Sequence, residues 1–144
     1  VREAWLATKN AAEALGAKIV VFENPLSFQP GADRLRDMYR FFKDIPRGRF
    51  SLVWQPRWAV WDRKMVEKVC GDLGLTAAFD PLKEPPPKRG SFLYLRPLWP
   101  RMGTLSVDNL DTIRRSLDER PAYLVFSHRE AFRDAERLIE PRRR

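Results

Sequence analysis

The chain has 144 residues, 44% of them hydrophobic and 12% aromatic, with 27 lysines and arginines against 19 acidic residues and a formal charge of +8. That size suits a single α/β domain over residues 1–144 with a core of its own, and the apolar content excludes a disordered chain. One cysteine, Cys70, excludes an internal disulfide, and no apolar run approaches the ~20 residues of a membrane span.

Taken in order, the sequence alternates between helical and strand periods. Residues 2–15 read as a helix with Ala4, Ala11, Ala12 and Leu15 on one face and Gly16 as its stop. Residues 18–22 are a short β-branched run of buried-strand type, closed by the loop chemistry of Glu23, Asn24 and Pro25. A second helix over 31–44 places Leu35, Met38 and Phe42 on one face, and Pro46 and Gly48 break it. The strand 50–54 follows, then Gln55, Pro56 and Arg57. Asp62 is placed to cap a third helix carrying Met65, Val66, Val69 and Leu73, ended by Gly74.

A third strand over 75–79 ends at Asp80 and Pro81. The proline-rich stretch 83–90 has no helical period, because proline removes donors and fixes φ. A fourth strand over 91–95 leads through a loop to Ser106, which caps a helix with Leu110, Ile113 and Leu117 inward. A fifth strand over 121–126 ends at Ser127 and His128, and Phe132, Ala135, Leu138 and Ile139 build the closing helix. The basic tail 141–144 follows the last helical pattern and is expected to be disordered.

Strands apolar on both faces and alternating with helices predict a parallel sheet of about five βα units, TIM-barrel-like but incomplete, as an open or partial barrel. The helix-free link between the third and fourth strands is at the lower limit for a parallel crossover. It either crosses as an irregular loop or joins strands that are not simply parallel.

In parallel α/β folds the site lies at the carboxyl ends of the strands. Those ends supply Glu23 and Asn24, Gln55 and Arg57, Asp80, Arg96, and Ser127 with His128. Asn24 and Asp80 precede prolines and are equally ordinary turn residues. Arg57 and Arg96 serve either as anion-binding groups or as ion-pair partners of Glu23 and Asp80. His128, the only histidine, is either a proton carrier or an exposed ring beside a helix cap. A second cluster comprises Trp58, Trp61 and Trp99 among Arg57, Arg63, Arg96 and Arg101, the composition of a base-stacking groove or of a roof over the core. Phosphate-loop, HExxH, CxxC and GxSxG motifs are absent, and one Cys and one His cannot build a typical zinc site. Cys70 reads as a small core residue. The identity of any cofactor is left open by the sequence.

The run Val53-Trp54-Gln55-Pro56-Arg57 with Trp61, the turn Asp80-Pro81, then Tyr94 and Arg96, then residues 123–126 resemble, in order and spacing, the YecE-like family, a domain of unknown function (DUF72). Val21 to Pro25 matches where that family ends a strand with a Gln-x-Pro motif. The resemblance implies a TIM-type barrel without an established activity, and it points to Pro25, Arg57, Trp61, Asp80, Tyr94 and Arg96. It also explains the short helix-free link. The departures are Gln55 where the family has Glu, Glu23 where it has Gln, Pro97-Leu98 in place of His-Gly, and Ser127-His128 in place of Asn-Asn. Only the C-terminal part of the family fold is matched, and five strands cannot close an eight-stranded barrel. The chain is therefore expected to be a fragment, an open-sheet relative, or half of a homo-oligomer.

The charge favours anionic partners, either a small phosphorylated molecule or nucleic acid. Asp80, Glu23 and His128 are the candidates for proton transfer. Asn24, Gln55, Arg57, Trp61, Tyr94 and Arg96 are the candidates for ligand binding. Residues 1–15 lack the apolar segment and cleavage site of a signal peptide, so a cytoplasmic setting is expected. Abundant charge, proline-rich loops and a single cysteine also fit a heat-adapted, thermophilic source.

Overall fold

A computed structural model of the chain describes residues 1–98 and 103–140. The tail 141–144, Trp99 and Arg101 lie outside them. The elements run α1 (Arg2–Ala14), β1 (Ile19–Glu23), α2 (Ala32–Asp44), β2 (Ser51–Gln55), α3 (Arg63–Leu73), β3 (Thr76–Phe79), β4 (Leu93–Leu95), α4 (Val107–Arg115), β5 (Ala122–Leu124) and α5 (Ala131–Ile139). The strands follow one another in sequence order, and all four pairings are parallel. The protein is thus an α/β fold of the incomplete TIM type. The helix-free link crosses as an irregular loop, since β3 and β4 pair in parallel, Ala78 with Tyr94 and Phe79 with Leu95. The chain packs as two compact units divided within β3, Val1–Ala77 and the residues from Ala78 onward.

In the first unit β1 and β2 pair over their whole length, Ile19 with Ser51 through to Glu23 with Gln55. Side chains alternate across a strand, so Val20, Phe22, Leu52 and Trp54 share one face. That face meets Trp5 and Ala12 of α1, Met38 and Phe42 of α2, and Val66, Val69, Cys70 and Leu73 of α3. Phe22 lies at its centre, with ring centroids 5.4 Å from Trp5 and 4.9 Å from Phe42. Asp62 caps α3 by accepting a hydrogen bond from the Met65 amide, and Gly74 ends it at φ 60°. A side chain there would be strained, which is why glycine stands at that stop.

Between α2 and β2 the chain is fastened by Arg47. Its Nη2 donates to the Phe42 carbonyl at 3.0 Å and to the Leu73 carbonyl at 2.6 Å, while Nη1 reaches Gly74 O at 3.4 Å. One guanidinium therefore satisfies orphan carbonyls at the C-terminal ends of two helices, where a cation is also favoured by the helix dipole. The Trp5 indole donates to the Pro46 carbonyl at 3.0 Å and fixes α1 to the same turn.

In the second unit Leu105, Leu110 and Ile113 form a buried cluster with Leu82, Leu124, Phe126 and Leu138 packed against it. Ser106 caps α4 through the Asn109 amide. The proline-rich connector is held by Arg120, whose Nη2 donates to Pro87 O at 2.9 Å while its Nε and Nη2 engage Asp118.

Three helical faces differ from the sequence reading. In α1 the buried residues are Trp5 and Ala12, whereas Ala4, Ala11 and Leu15 are exposed. Two stripes compete on that helix, and the one carrying the larger ring is the one that burial favours. In α4 Leu110 and Ile113 are buried, but Leu117 lies beyond the last turn and is exposed. In α5 Phe132 and Ile139 are 78% and 82% exposed, and the buried residue is Asp134.

Replacing Arg47 with methionine keeps the apolar stem and removes the hydrogen bonds. It should lower unfolding stability by about 2 kcal/mol, the order of a charge-assisted hydrogen bond plus stranded carbonyls. Urea denaturation read by tryptophan fluorescence checks this, and a midpoint unchanged from wild type would contradict it.

Candidate functional site

Each strand that is apolar along its length turns polar where it leaves the sheet, and the two units handle those polar groups separately. In the first unit the last register pair of β1 and β2 is Glu23 with Gln55. Gln55 is buried, whereas Glu23 is exposed. Asn24 is held from two sides. Its side-chain oxygen accepts a hydrogen bond from the Trp54 indole, and its carbonyl accepts from Arg57 Nε at 3.0 Å. The outer edge of the Arg57 guanidinium then faces Glu23, with Nη2 3.6 Å from Oε1, too long for a hydrogen bond. Both side chains of that pair are more than a third exposed, at 35% and 44%.

Trp61 is an interior residue, 2% exposed. It stacks on Phe28 at 5.8 Å, meets Trp54 edge-on at 5.0 Å, and donates its indole N–H to the Phe28 carbonyl. Its ring faces are used within the protein, so it offers no platform for a base. Trp58 is half-buried, Arg63 is paired with Glu67, and Trp99 and Arg101 fall outside the described residues.

In the second unit Asp80 is buried and organises its own loop. Its Oδ1 accepts from the Leu82 amide at 3.0 Å and its Oδ2 from the Leu98 amide at 3.2 Å. Its carbonyl accepts from the Lys83 and Glu84 amides. Tyr94 and Arg96 lie two residues apart on β4 and its end, hence on one face of the strand. Burial pushes the Tyr94 hydroxyl above its usual range, and the Arg96 charge partly offsets this.

Since the residue that precedes α5 is Glu130, His128 is not an exposed ring beside a Ser127 cap. Its side chain is 2% exposed, and Nε2 lies 2.8 Å from Asp134 Oδ2. That oxygen also accepts from the Leu105 amide at 2.7 Å, and the other accepts from Arg137 Nη1 at 2.7 Å. Arg137 Nη1 in turn donates to the Leu105 carbonyl, closing the network. Burial alone would raise the Asp134 carboxyl. The Leu105 amide, His128 and Arg137 outweigh it and hold the group below the usual carboxylate range. Asp134 escapes a sequence reading because an acidic residue between arginines on a helix looks solvated, and its partners lie up to 29 residues away.

Burial pushes the Cys70 thiol up to about 12, so it is no nucleophile near neutral pH. Among the described residues no group of three or more His, Cys, Asp or Glu is placed to hold a metal ion. None of their helices is long and apolar enough to cross a membrane.

These features define a parallel α/β protein of the incomplete TIM type, with polar groups gathered where strands end. The structure is similar to a DUF72 family protein from Thermotoga maritima, with a TM-score of 0.74 at 16% sequence identity. The match covers 96% of this chain and 66% of that one, so the chain spans just under two thirds of the length of that protein. At that identity the likeness shows a shared fold. No family model and no curated protein matches the sequence.

Asp134 has a lowered carboxyl in the folded state, so its contribution to stability is present above the unfolded value of about 4 and is lost as pH falls through the folded value. Asp134→Asn should flatten the decline in stability below pH ~4, while Asp134→Ala should cost about 3 kcal/mol at neutral pH by stranding Arg137 and the Leu105 amide. Denaturant midpoints across an acid pH series measure both effects, and an Asp134→Asn curve parallel to wild type would count against the assignment.

Proposed function

We propose that this chain is a DUF72-type protein that binds an anionic ligand, a phosphorylated small molecule, where its strands end. The observation that carries this reading is the state of Arg57. Its Nε is fixed on the Asn24 carbonyl, so the guanidinium is oriented, yet its outer nitrogen meets Glu23 only at 3.6 Å and stays half-exposed. An oriented and loosely neutralised guanidinium suits bidentate recognition of a phosphate or carboxylate. Glu23 is then a displaceable partner, giving way when an anion arrives. In the second unit Arg96, which follows β4 beside Tyr94, is a second arginine at a strand end.

The geometry favours binding over catalysis. Asp80 spends both oxygens on loop amides, and His128 is committed to Asp134. Among the three candidates for proton transfer, Glu23 alone is exposed. The fold likeness supports the family reading, together with the order of Arg57, Trp61, Asp80, Tyr94 and Arg96 along the chain.

Calorimetric titration with inorganic phosphate, ribose 5-phosphate and a short single-stranded oligonucleotide tests the proposal. Saturable binding of the sugar phosphate should weaken about tenfold in Arg57→Gln, the loss of one charge-assisted contact. It should strengthen several-fold in Glu23→Gln, because a competing carboxylate is removed. Affinity unaltered by Arg57→Gln would overturn the assignment. Binding of the oligonucleotide alone, falling steeply with salt, would replace it with a nucleic-acid function.

A further inference from the structure

A cavity of about 640 Å³ opens beside the proposed anion site, between α2 and the ends of β1 and β2. That volume falls among those of small-molecule sites. Alternation along the strands sends Phe22 and Trp54 to the face that meets the helices, and both line the cavity. Phe28 from the loop after β1 and Met38 and Phe41 from α2 complete its apolar wall, and the start of α1 adds Val1 and Arg2. Trp54 and Met38 are buried, whereas Phe22, Phe28 and Phe41 are only partly so, which leaves apolar ring surface for a guest. The charged residues that border the cavity are all exposed. Its depth therefore offers a charged or unpaired polar group no partner, and burying one there would be costly.

Asn24 joins this cavity to the arginine. Its side-chain oxygen accepts from the Trp54 indole, and both residues belong to the cavity lining. Its carbonyl accepts from Arg57 Nε at 3.0 Å. One residue thus separates an oriented, loosely neutralised guanidinium from an apolar hollow. A cationic group and a hydrocarbon-lined space at such close quarters are complementary to one molecule that carries an anion at one end and apolar surface at the other.

We infer, on the reading of Arg57 as the anion site, that the ligand of the first unit is a phosphate monoester with an alkyl tail. Its head lies on Arg57 and its tail enters the cavity between Phe28, Phe41 and Trp54. Arg57 supplies the orientation of the head, and the ring surfaces select a hydrocarbon chain over a sugar, whose hydroxyls would lose their water without gaining partners.

Calorimetric titration with methyl, butyl and hexyl phosphate tests this. Affinity for the wild-type chain should rise about threefold per methylene, the gain from moving apolar surface out of water. Arg57→Gln should weaken every member about tenfold and leave the gain along the series unchanged. Phe41→Trp, which narrows the cavity, should reduce the gain while methyl phosphate binds as it does to wild type. Hexanol has the tail without the head, so it should compete with hexyl phosphate and not with inorganic phosphate. Equal affinity across the series, still weakened by Arg57→Gln, overturns the tail assignment and leaves the anion reading standing. Affinities that Arg57→Gln does not alter overturn the anion reading and the ligand assignment with it. Hexanol that fails to displace hexyl phosphate from the wild-type chain places the tail outside the cavity and overturns the inference as well, whether or not Phe41→Trp folds.

Discussion

A parallel strand buried on both faces cannot carry charge until its last residue, and the placement of the polar groups that end β2, β3 and β4 follows from that constraint. Val53 and Trp54 in β2, Ala77, Ala78 and Phe79 in β3, and Leu93 and Leu95 in β4 are all but inaccessible. Polar side chains are therefore pushed to Gln55, Asp80 and Arg96, one at the end of each strand. The backbone leaving those strands needs partners in turn, because an unpaired amide or carbonyl there would cost about as much as a lost hydrogen bond. The strand ends consequently collect side chains of two kinds, those that hold loops and those that stay exposed.

Most of them hold loops. Asn24 anchors the Trp54 indole and Asp80 ties Leu82 to Leu98, while Asp134 does similar work from within α5, tying Leu105 to His128. The same economy recurs at the opposite ends of the elements, where Arg47 joins the termini of two helices and Arg120 secures the proline-rich connector. Arginine suits this work because its planar fork reaches two carbonyls at once and never loses its charge. A good part of the basic excess is thus structural, and the +8 charge overstates the surface left for anions.

The sequence made the elements legible because each has a local cause. Asp62 and Gly74 bracket α3 by cap chemistry, and Ser106 opens α4 in the same way. The pairing across the proline-rich link was left open by the sequence, because an irregular connector carries no period that dictates direction, and β3 and β4 pair in parallel. Periodicity shows that a helix has an apolar stripe, but it cannot say what meets that stripe. On α1 the tryptophan stripe won over the alanine stripe, and on α5 the apolar stripe faces outward. Asp134 was illegible for a related reason. Its burial depends on His128, Arg137 and Leu105 converging on one carboxylate, and no short pattern encodes that convergence.

The contrast between Asp134 and Glu23 shows how burial sorts structural charge from charge that can still do chemistry. Asp134 is sealed, with both oxygens accepting hydrogen bonds, and breaking such a set costs on the order of 3–5 kcal/mol. No ligand of ordinary affinity could displace its partners. The Glu23–Arg57 pair is half-exposed and separated by 3.6 Å, a contact worth roughly 0–1 kcal/mol, and on the proposed reading it is the one an arriving anion would exchange. Orientation is not lost in the exchange, because Arg57 remains anchored through Nε to Asn24, whose side chain is itself held by the buried Trp54. On the proposed reading the binding groups are those whose anchors are buried and whose counter-charges are not, and in the first unit Arg57 meets both conditions.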